Sequence, residues 1–310
     1  MIPSVDSIFA RLRLRQLRLL IELDRCGSLH KAAEAMAISQ PGATKALREV
    51  EEILGVPLFV RQPSGLVAND AGRCVVRYAR LIHSDLGHLR EEVLGIVQGE
   101  GGRLAVGSIM GAMPTLVGAL GRLRRKQAQL AVEIAENTSA NLLAQLDEGR
   151  LDLAICRPSV GRNAADYGFV ELAQEPLAVV AHPKHPLAGA QALEVGDLSH
   201  FRWIVYPANT PMRQALEREL SEAGVEVPRY PLETSSTFAT FMLLEEDHSL
   251  VAVIPSAVAA FAEQRGLLVS LAVRLRALSE PFGVVHRVAS PLSHAAQLLV
   301  DELTAPCARP

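Results

Sequence analysis

Three short runs near the start of the chain repeat apolar residues at the spacing of an α-helix. Leu17, Leu20 and Ile21 fall three or four apart and Gly27 stops them. Leu29, Ala32, Ala33 and Met36 share one face of a second helix behind Ser28, read as its cap. Ala32 and Ala33 put almost no side chain at the contact, so another helix can cross there at close range. In the third run Ala43, Ala46, Leu47, Val50 and Leu54 follow Ser39, a predicted N-cap, and Pro41 falls in the first turn, where a missing N–H costs nothing.

The other face of this third helix carries Pro41, Thr44, Lys45 and Arg48 with no acid among them, and Gln40 stands at its start. Hydroxyl, ammonium, guanidinium and amide are groups that reach base edges and phosphates. Gly42 gives up about 1 kcal/mol of helix propensity relative to Ala and leaves a first turn slim enough for a close approach. Helix, tight turn and donor-rich helix make a helix-turn-helix, whose second helix enters the major groove N-terminus first. Ser39, Gln40, Pro41, Thr44, Lys45 and Arg48 are therefore candidate DNA contacts; an ordinary solvated face would explain the stripe taken alone.

Beyond Gly55 and Pro57, Leu58 and Phe59 are expected in the trihelical core, and "RQPSG" reads as a turn between two extended runs, a wing whose Arg61 and Ser64 could touch phosphate. Asn69 then caps a long helix from about Asp70 to Val97. Along it Val75, Ala79, Ile82, Leu86, Leu89, Val93 and Ile96 alternate steps of four and three, the seam of a coiled coil. A partner helix explains that seam better than the competing reading, a helix buried against its own chain, and a dimer would set two recognition helices along one side of a duplex.

"GEGG" at 99–102 reads as a linker. Strand and helix patterns alternate after it: "RLAVG", a helix opened by Pro114, "LAVEIA", "ANLLAQLDEG", "LDLAIC", and after a polar break "EPLAVVAHP", "RWIVYP", "TPMRQALERELSEAG", "YPLET", "STFATFMLLEE" and "SLVAVIP", with "FGVVHR" and "HAAQLLVDEL" last. This alternation predicts α/β lobes with helices on the sheet faces. The expected plan is a DNA-binding domain at 1–70, a dimerisation helix at 71–98 and a two-lobed domain at 99–310. In that domain lobe I would be 103–162 with 268–310, and lobe II 163–267. A ligand in such a cleft lies at strand carboxyl ends facing helix N-termini. Ser108, Ile109, Asn137, Thr138, Ser139, Pro207, Thr210, Ser235, Ser236 and Thr237 occupy such places, and their hydroxyls point to an anion such as a carboxylate. Each is equally explained as a helix cap. Arg157 and His182 fall near the waist, where either could meet an anion; a surface ion pair is the plainer expectation for Arg157, and core burial for Cys156.

Charge adds an asymmetry that the net of −3 conceals: residues 1–80 hold 12 Lys/Arg against 8 Asp/Glu, and the remainder 19 against 26, a basic head on an acidic body. Cys26, Cys74, Cys156 and Cys307 form no CxxC pair, so neither a disulfide framework nor a zinc site is expected. With no signal-like start and no apolar run long enough to span a bilayer, the expected location is the cytoplasm. GxSxG, HExxH, GxxxxGK[ST] and GxGxxG are all missing, so no enzyme, metal or cofactor is predicted.

"AAEAMAISQPGATKALREVEEILGVPLFVR", followed by "DAG" and the long helix, resembles the LysR-type transcriptional regulators. Val50 and Asn69 depart from the usual Leu and Thr. The resemblance covers the whole chain. It implies a winged helix-turn-helix, a two-lobed effector domain similar to type 2 periplasmic binding proteins, a dimer of dimers, promoter DNA, a small-molecule effector and contact with RNA polymerase. The family's effector pockets lie at the loops named above. Its peroxide sensors carry a cysteine pair in the first half of the second lobe, where this chain has none. The alternative is a two-lobed solute-binding or enzymatic module that uses the head only as a DNA anchor.

Overall fold

The computed structural model describes residues 3–63, 65–98, 102–161, 164–208, 210–225, 231–273, 275 and 279–305. The chain divides into two compact units, the first mainly helical and the second built on two sheets. Ser64, Cys307, most of the 99–102 linker and the Ile96 side chain lie outside the described residues.

The first unit begins with α1 (Val5–Arg11), α2 (Leu14–Cys26), α3 (Leu29–Ala35) and α4 (Gln40–Leu54). The hairpin of β1 (Phe59–Gln62) and β2 (Gly65–Ala68) follows, and then α5 (Asp70–Gln98). Leu19, Leu20, Leu23, Ala32, Ala33, Ala43, Leu47, Val50, Leu58 and Phe59 close one core, in which Ala32 and Ala33 are the thin face of α3. Gly27 and Gly55 end α2 and α4 in the left-handed region, as their positions behind each apolar run predict. Ser39 Oγ accepts the Gly42 N–H at 3.2 Å, and Asn69 Oδ1 accepts the Gly72 N–H at 2.8 Å, so both predicted caps form. Ser28 takes the N-cap position but makes no side-chain cap bond. Gly42 has a tighter reason than propensity: a Cβ there would stand 3.1 Å from the Ser39 hydroxyl that caps the helix. Glu51 holds the chain after Gly55, its Oε1 accepting the Leu58 N–H at 2.7 Å.

In the second unit, β3 (Gly102–Ser108), β4 (Leu130–Glu136) and β5 (Leu153–Cys156) run parallel. β6 (Tyr167–Glu175) and the late strand β12 (Ser279–Arg287) complete a sheet ordered β4-β3-β5-β12-β6. α6 (Met113–Lys126), α7 (Ser139–Asp147) and α11 (His294–Thr304) cover it. A second sheet, β11-β7-β10-β8-β9, joins β7 (Leu177–Ala181), β8 (Arg202–Val205), β9 (Leu232–Glu233), β10 (Leu250–Pro255) and β11 (Val269–Ser270). Successive residues of its central strands feed opposite cores. Val180, Ile204 and Ala252 pack with α9 (Thr237–Glu246) and α10 (Ser256–Glu263); Val179, Trp203 and Val251 pack with α8 (Pro211–Glu222).

Two boundaries differ from the sequence reading. β6 pairs antiparallel with β12, so residues 167–175 belong to the first sheet, and β11 pairs with β7, so 269–270 belong to the second. The chain therefore crosses between lobes at 175–177 and again between β11 and β12, instead of near 162 and 268. The cause is that β6 is an edge strand, exposed along most of its length, and shows none of the apolar run that marks β3 or β10.

Candidate DNA-reading surface and effector cavity

α4 presents Pro41, Lys45 and Arg48 to solvent on the face opposite Ala43, Leu47 and Val50. Thr44 is half-buried and spends its hydroxyl proton on the Gln40 carbonyl at 3.0 Å. That leaves the Lys45 ammonium, the Arg48 guanidinium and the Gln40 amide as the outward donors. The stripe has acidic neighbours that its own spacing hides: Pro41, Thr44, Lys45 and Arg48 border one surface depression together with Glu49 and Glu52. Glu49 stands 3.9 Å from Lys45 and also accepts a bond from buried Gln16 at 2.8 Å, which ties α2 to α4. A carboxylate on the rim of such a surface repels phosphate and so favours only the registers in which base contacts compensate. Arg61 lies on the exposed side of β1.

The seam of α5 has two parts. Val75 is half-buried against the core of the first unit and Ala79 is 1% exposed, so the chain itself occupies these two predicted dimer contacts. From the next turn onward the same seam is open: Ile82, Leu86, Leu89 and Val93 are exposed, Leu89 to 57%. Arg80 pairs with Asp24 at 2.7 Å and fixes α5 to α2, and an apolar groove between these helices leads from Leu14 and Leu17 to Ile82 and Leu86.

Between the two sheets of the second unit lies an open cavity of about 640 Å³, counted with the solvent at its mouth. Of the residues predicted from sequence, Ile109, Asn137, Thr138, Ser139, Thr210 and Ser235 line it. Ser108, Pro207, Ser236 and Thr237 do not, each for a visible reason. Ser108 is fully buried on a central strand and gives its proton to the Ile109 carbonyl at 2.9 Å. Pro207 and Ser236 serve helix starts, the first accepting from Thr210, the second from the Ala239 N–H at 3.2 Å. Thr237 donates to Glu136 Oε1 at 3.2 Å, a bond from the second lobe to the first.

The sequence marks Arg157 near the waist but gives no sign of its partner in the cavity, Glu175. Arg157 is buried at the end of β5 and ion-paired with Glu175, the last residue of β6, while its Nε donates to the Glu280 carbonyl at 2.8 Å. A buried, cavity-lining pair stands where an exposed one was expected. Gly111 lines the same wall, and a Cβ there would fall 1.5 Å from Glu175 Oε1 and 3.1 Å from Pro255, so only glycine fits. Tyr206 donates its phenol to Met110 Sδ at 2.9 Å, a second bond from lobe to lobe. Burial raises the Tyr206 pKa, and the charges of Glu175 and Glu136 push it in the same direction. Burial also lifts the Cys156 thiol to about 12, which keeps it protonated and unreactive. His182 stays out of the cavity: it stacks on His248 at 3.8 Å, its Nδ1 accepts the Lys184 N–H, and Nε2 faces Glu245 at 3.1 Å. The signals for Glu136 and Glu175 were weak, a polar residue closing each strand with no motif around it.

Two family models match, a bacterial regulatory helix-turn-helix protein of the lysR family over residues 14–73 and a LysR substrate binding domain over residues 98–308. The HTH-type transcriptional regulator GbpR of Azospirillum brasilense is 32% identical over 305 residues, covering 98% of this chain and 89% of that one. The fold is similar to the crystal structure of CbnR, a LysR family transcriptional regulator, with a TM-score of 0.68 at 20% identity over 94% of this chain and 98% of that one. It is also similar to full-length CbnR in complex with its target DNA, with a TM-score of 0.66 at 20% identity over 94% and 99%.

Proposed function

Because the chain belongs to the LysR family of transcriptional regulators, we propose that α4 reads base edges in the major groove of promoter DNA and that the cavity of the second unit is where its effector binds. Relatives are named transcriptional regulators, and the chain is a regulator rather than an enzyme. The observation that carries the reading of the first unit is the outward set Gln40, Lys45 and Arg48 on a capped helix whose opposite face is fully packed. Phosphates supply most of the affinity, through Lys45, Arg61 of the wing and the helix ends, and Gln40 and Arg48 supply the discrimination.

The open seam from Ile82 to Val93 supports a homodimer through α5, and two such dimers make the tetramer expected of the family. The protein acts in the cytoplasm, where an effector alters its contact with DNA or RNA polymerase; no described helix is long and apolar enough to cross a membrane. An effector acts only through a difference in its affinity for two arrangements of the molecule. The Tyr206–Met110 and Thr237–Glu136 bonds join the lobes across the cavity, so a ligand that bridges or breaks them makes such a difference.

Thr138 tests the cavity. Its hydroxyl accepts the Asn141 N–H at 3.5 Å, too long to be a strong cap, which leaves the group available to a ligand. Thr138→Val keeps the shape and removes the hydroxyl. Calorimetric titration with an effector found by thermal-shift screening should show a loss of about 1 to 3 kcal/mol, roughly fivefold to over a hundredfold in affinity. If the hydroxyl is only a cap, stability falls by about 1 kcal/mol or less and the titration stays as it was, which removes Thr138 from the site.

A further inference from the structure

The cap-rich loops around the cavity led the sequence reading to an anionic effector, and the hydrogen bonds around that cavity argue for the opposite. Three of the hydroxyls counted as donors have already given up their protons: Ser108 to the Ile109 carbonyl, Thr210 to the Pro207 carbonyl at 2.8 Å, and Thr237 to Glu136. Ser139 Oγ is an acceptor, taking the Arg157 N–H at 3.3 Å. Among the described lining residues one cation is present, Arg157, and it is committed to Glu175 and the Glu280 carbonyl. Against it stand two carboxylates, Glu136 and Glu175, so the described lining carries a formal surplus of one negative charge.

Helix N-termini do face the cavity, at Ser139 of α7 and Pro211 of α8, and each is worth about half a positive charge. Pro211 has no N–H to offer, and Glu136 and Glu175 bring two carboxylates to the same cavity. Burial is the main cause of the raised Tyr206 pKa, and the charges of Glu175 and Glu136 add to it. A carboxylate entering here would meet the like charges of Glu136 and Glu175. Hydroxyl or ammonium groups would meet acceptors held in place.

Resting on the reading of this cavity as the effector site, we propose that the effector is a non-anionic, donor-rich small molecule, whose hydroxyl or ammonium groups dock on Glu136 with Glu175 behind it. The Thr237 hydroxyl bonded to Glu136 stands in for one such donor. A ligand group that displaces it would release the bond from the second lobe and give the site its difference between two arrangements.

Matched compounds on common carbon skeletons test this on the full-length protein: neutral sugars and polyols, the corresponding amines, and the corresponding carboxylates, each screened by thermal shift and then titrated calorimetrically up to about 1 mM. The expected result is binding among the neutral or amine members, with the carboxylate partner of the best ligand at least about tenfold weaker. Glu136→Gln should weaken that ligand by about tenfold or more and narrow the gap to its carboxylate analogue. A much larger loss for amines than for polyols identifies ammonium as the docked group, and equal losses identify hydroxyls. Tightest binding by carboxylates, or no binding by any neutral or amine member, overturns the proposal. If those carboxylates are weakened by Thr138→Val, the cavity survives as the effector site and only the ligand class falls; binding insensitive to both Thr138→Val and Glu136→Gln removes the cavity itself.

Discussion

Arg157→Met should lower the melting temperature of the second unit by about 10 °C. The guanidinium and the Glu175 carboxylate are both buried, to 5% and 4% exposure. Removing one partner of such a pair leaves a charge in a poorly solvating interior, at a cost of about 3 to 5 kcal/mol. Two to four degrees per kcal/mol, roughly the scale for a domain of this length, gives the expected shift. The isolated change also strands the Glu280 carbonyl that Arg157 Nε now serves. The companion experiment is Arg157→Met with Glu175→Leu, which removes both charges. Buried pairs repay little more than their desolvation, so the double variant should regain most of the lost stability. A single variant as stable as the parent would mean that solvent reaches the pair and screens it.

Leu86→Glu with Leu89→Glu carries the other large effect. Both side chains are exposed within one chain, at 39% and 57%, so the monomer has no reason to unfold. In a dimer built on the α5 seam the two glutamates would face their counterparts in an apolar interface, where unpaired charge costs several kcal/mol. Sedimentation should therefore report a smaller species. Affinity for a two-half-site DNA fragment should fall by about a hundredfold or more, because two recognition helices no longer act as one ligand. Ala79 is the control position: it is already buried within one chain, so it belongs to folding and not to assembly. An intact oligomer in the double variant would show that the exposed seam is not the dimer contact.

What could be read from the sequence follows the range of the interactions involved. The cap at Ser39, the stop at Gly55, the cap at Asn69 and the packed face of α4 all depend on residues within a few positions of each other, and periodicity exposes them. β6 is hidden because its sheet partner, β12, lies more than a hundred residues further on, and because an exposed edge strand needs no apolar run. α10 escaped notice because "SAVAAFAE" directly follows the apolar strand "LVAVIP" and has little periodicity of its own. The strand-end residues Ile109, Asn137, Thr138 and Thr210 do line one cavity. Its chemistry depended on something less local: Arg157, Glu175 and Gly111 come from three separate elements, and only the topology brings a guanidinium, a carboxylate and a bare Cα together. Ser108 shows the converse error, since a serine at a strand end reads as a ligand donor until the centrality of β3 seals it off.

Whether the exposed face of α4 reads DNA is decided most directly by a salt-series binding measurement on a fragment selected by the parent protein from random duplexes. Arg48→Ala should weaken binding by about 1 to 3 kcal/mol and relax discrimination at one base pair in each half-site, with the helix still folded by circular dichroism. Lys45→Ala should weaken all sequences alike and lower the slope of log affinity against log salt by about one, the mark of a phosphate contact. Parent affinity, parent specificity and an unchanged slope in both variants would contradict the account, because α4 would then point away from the duplex.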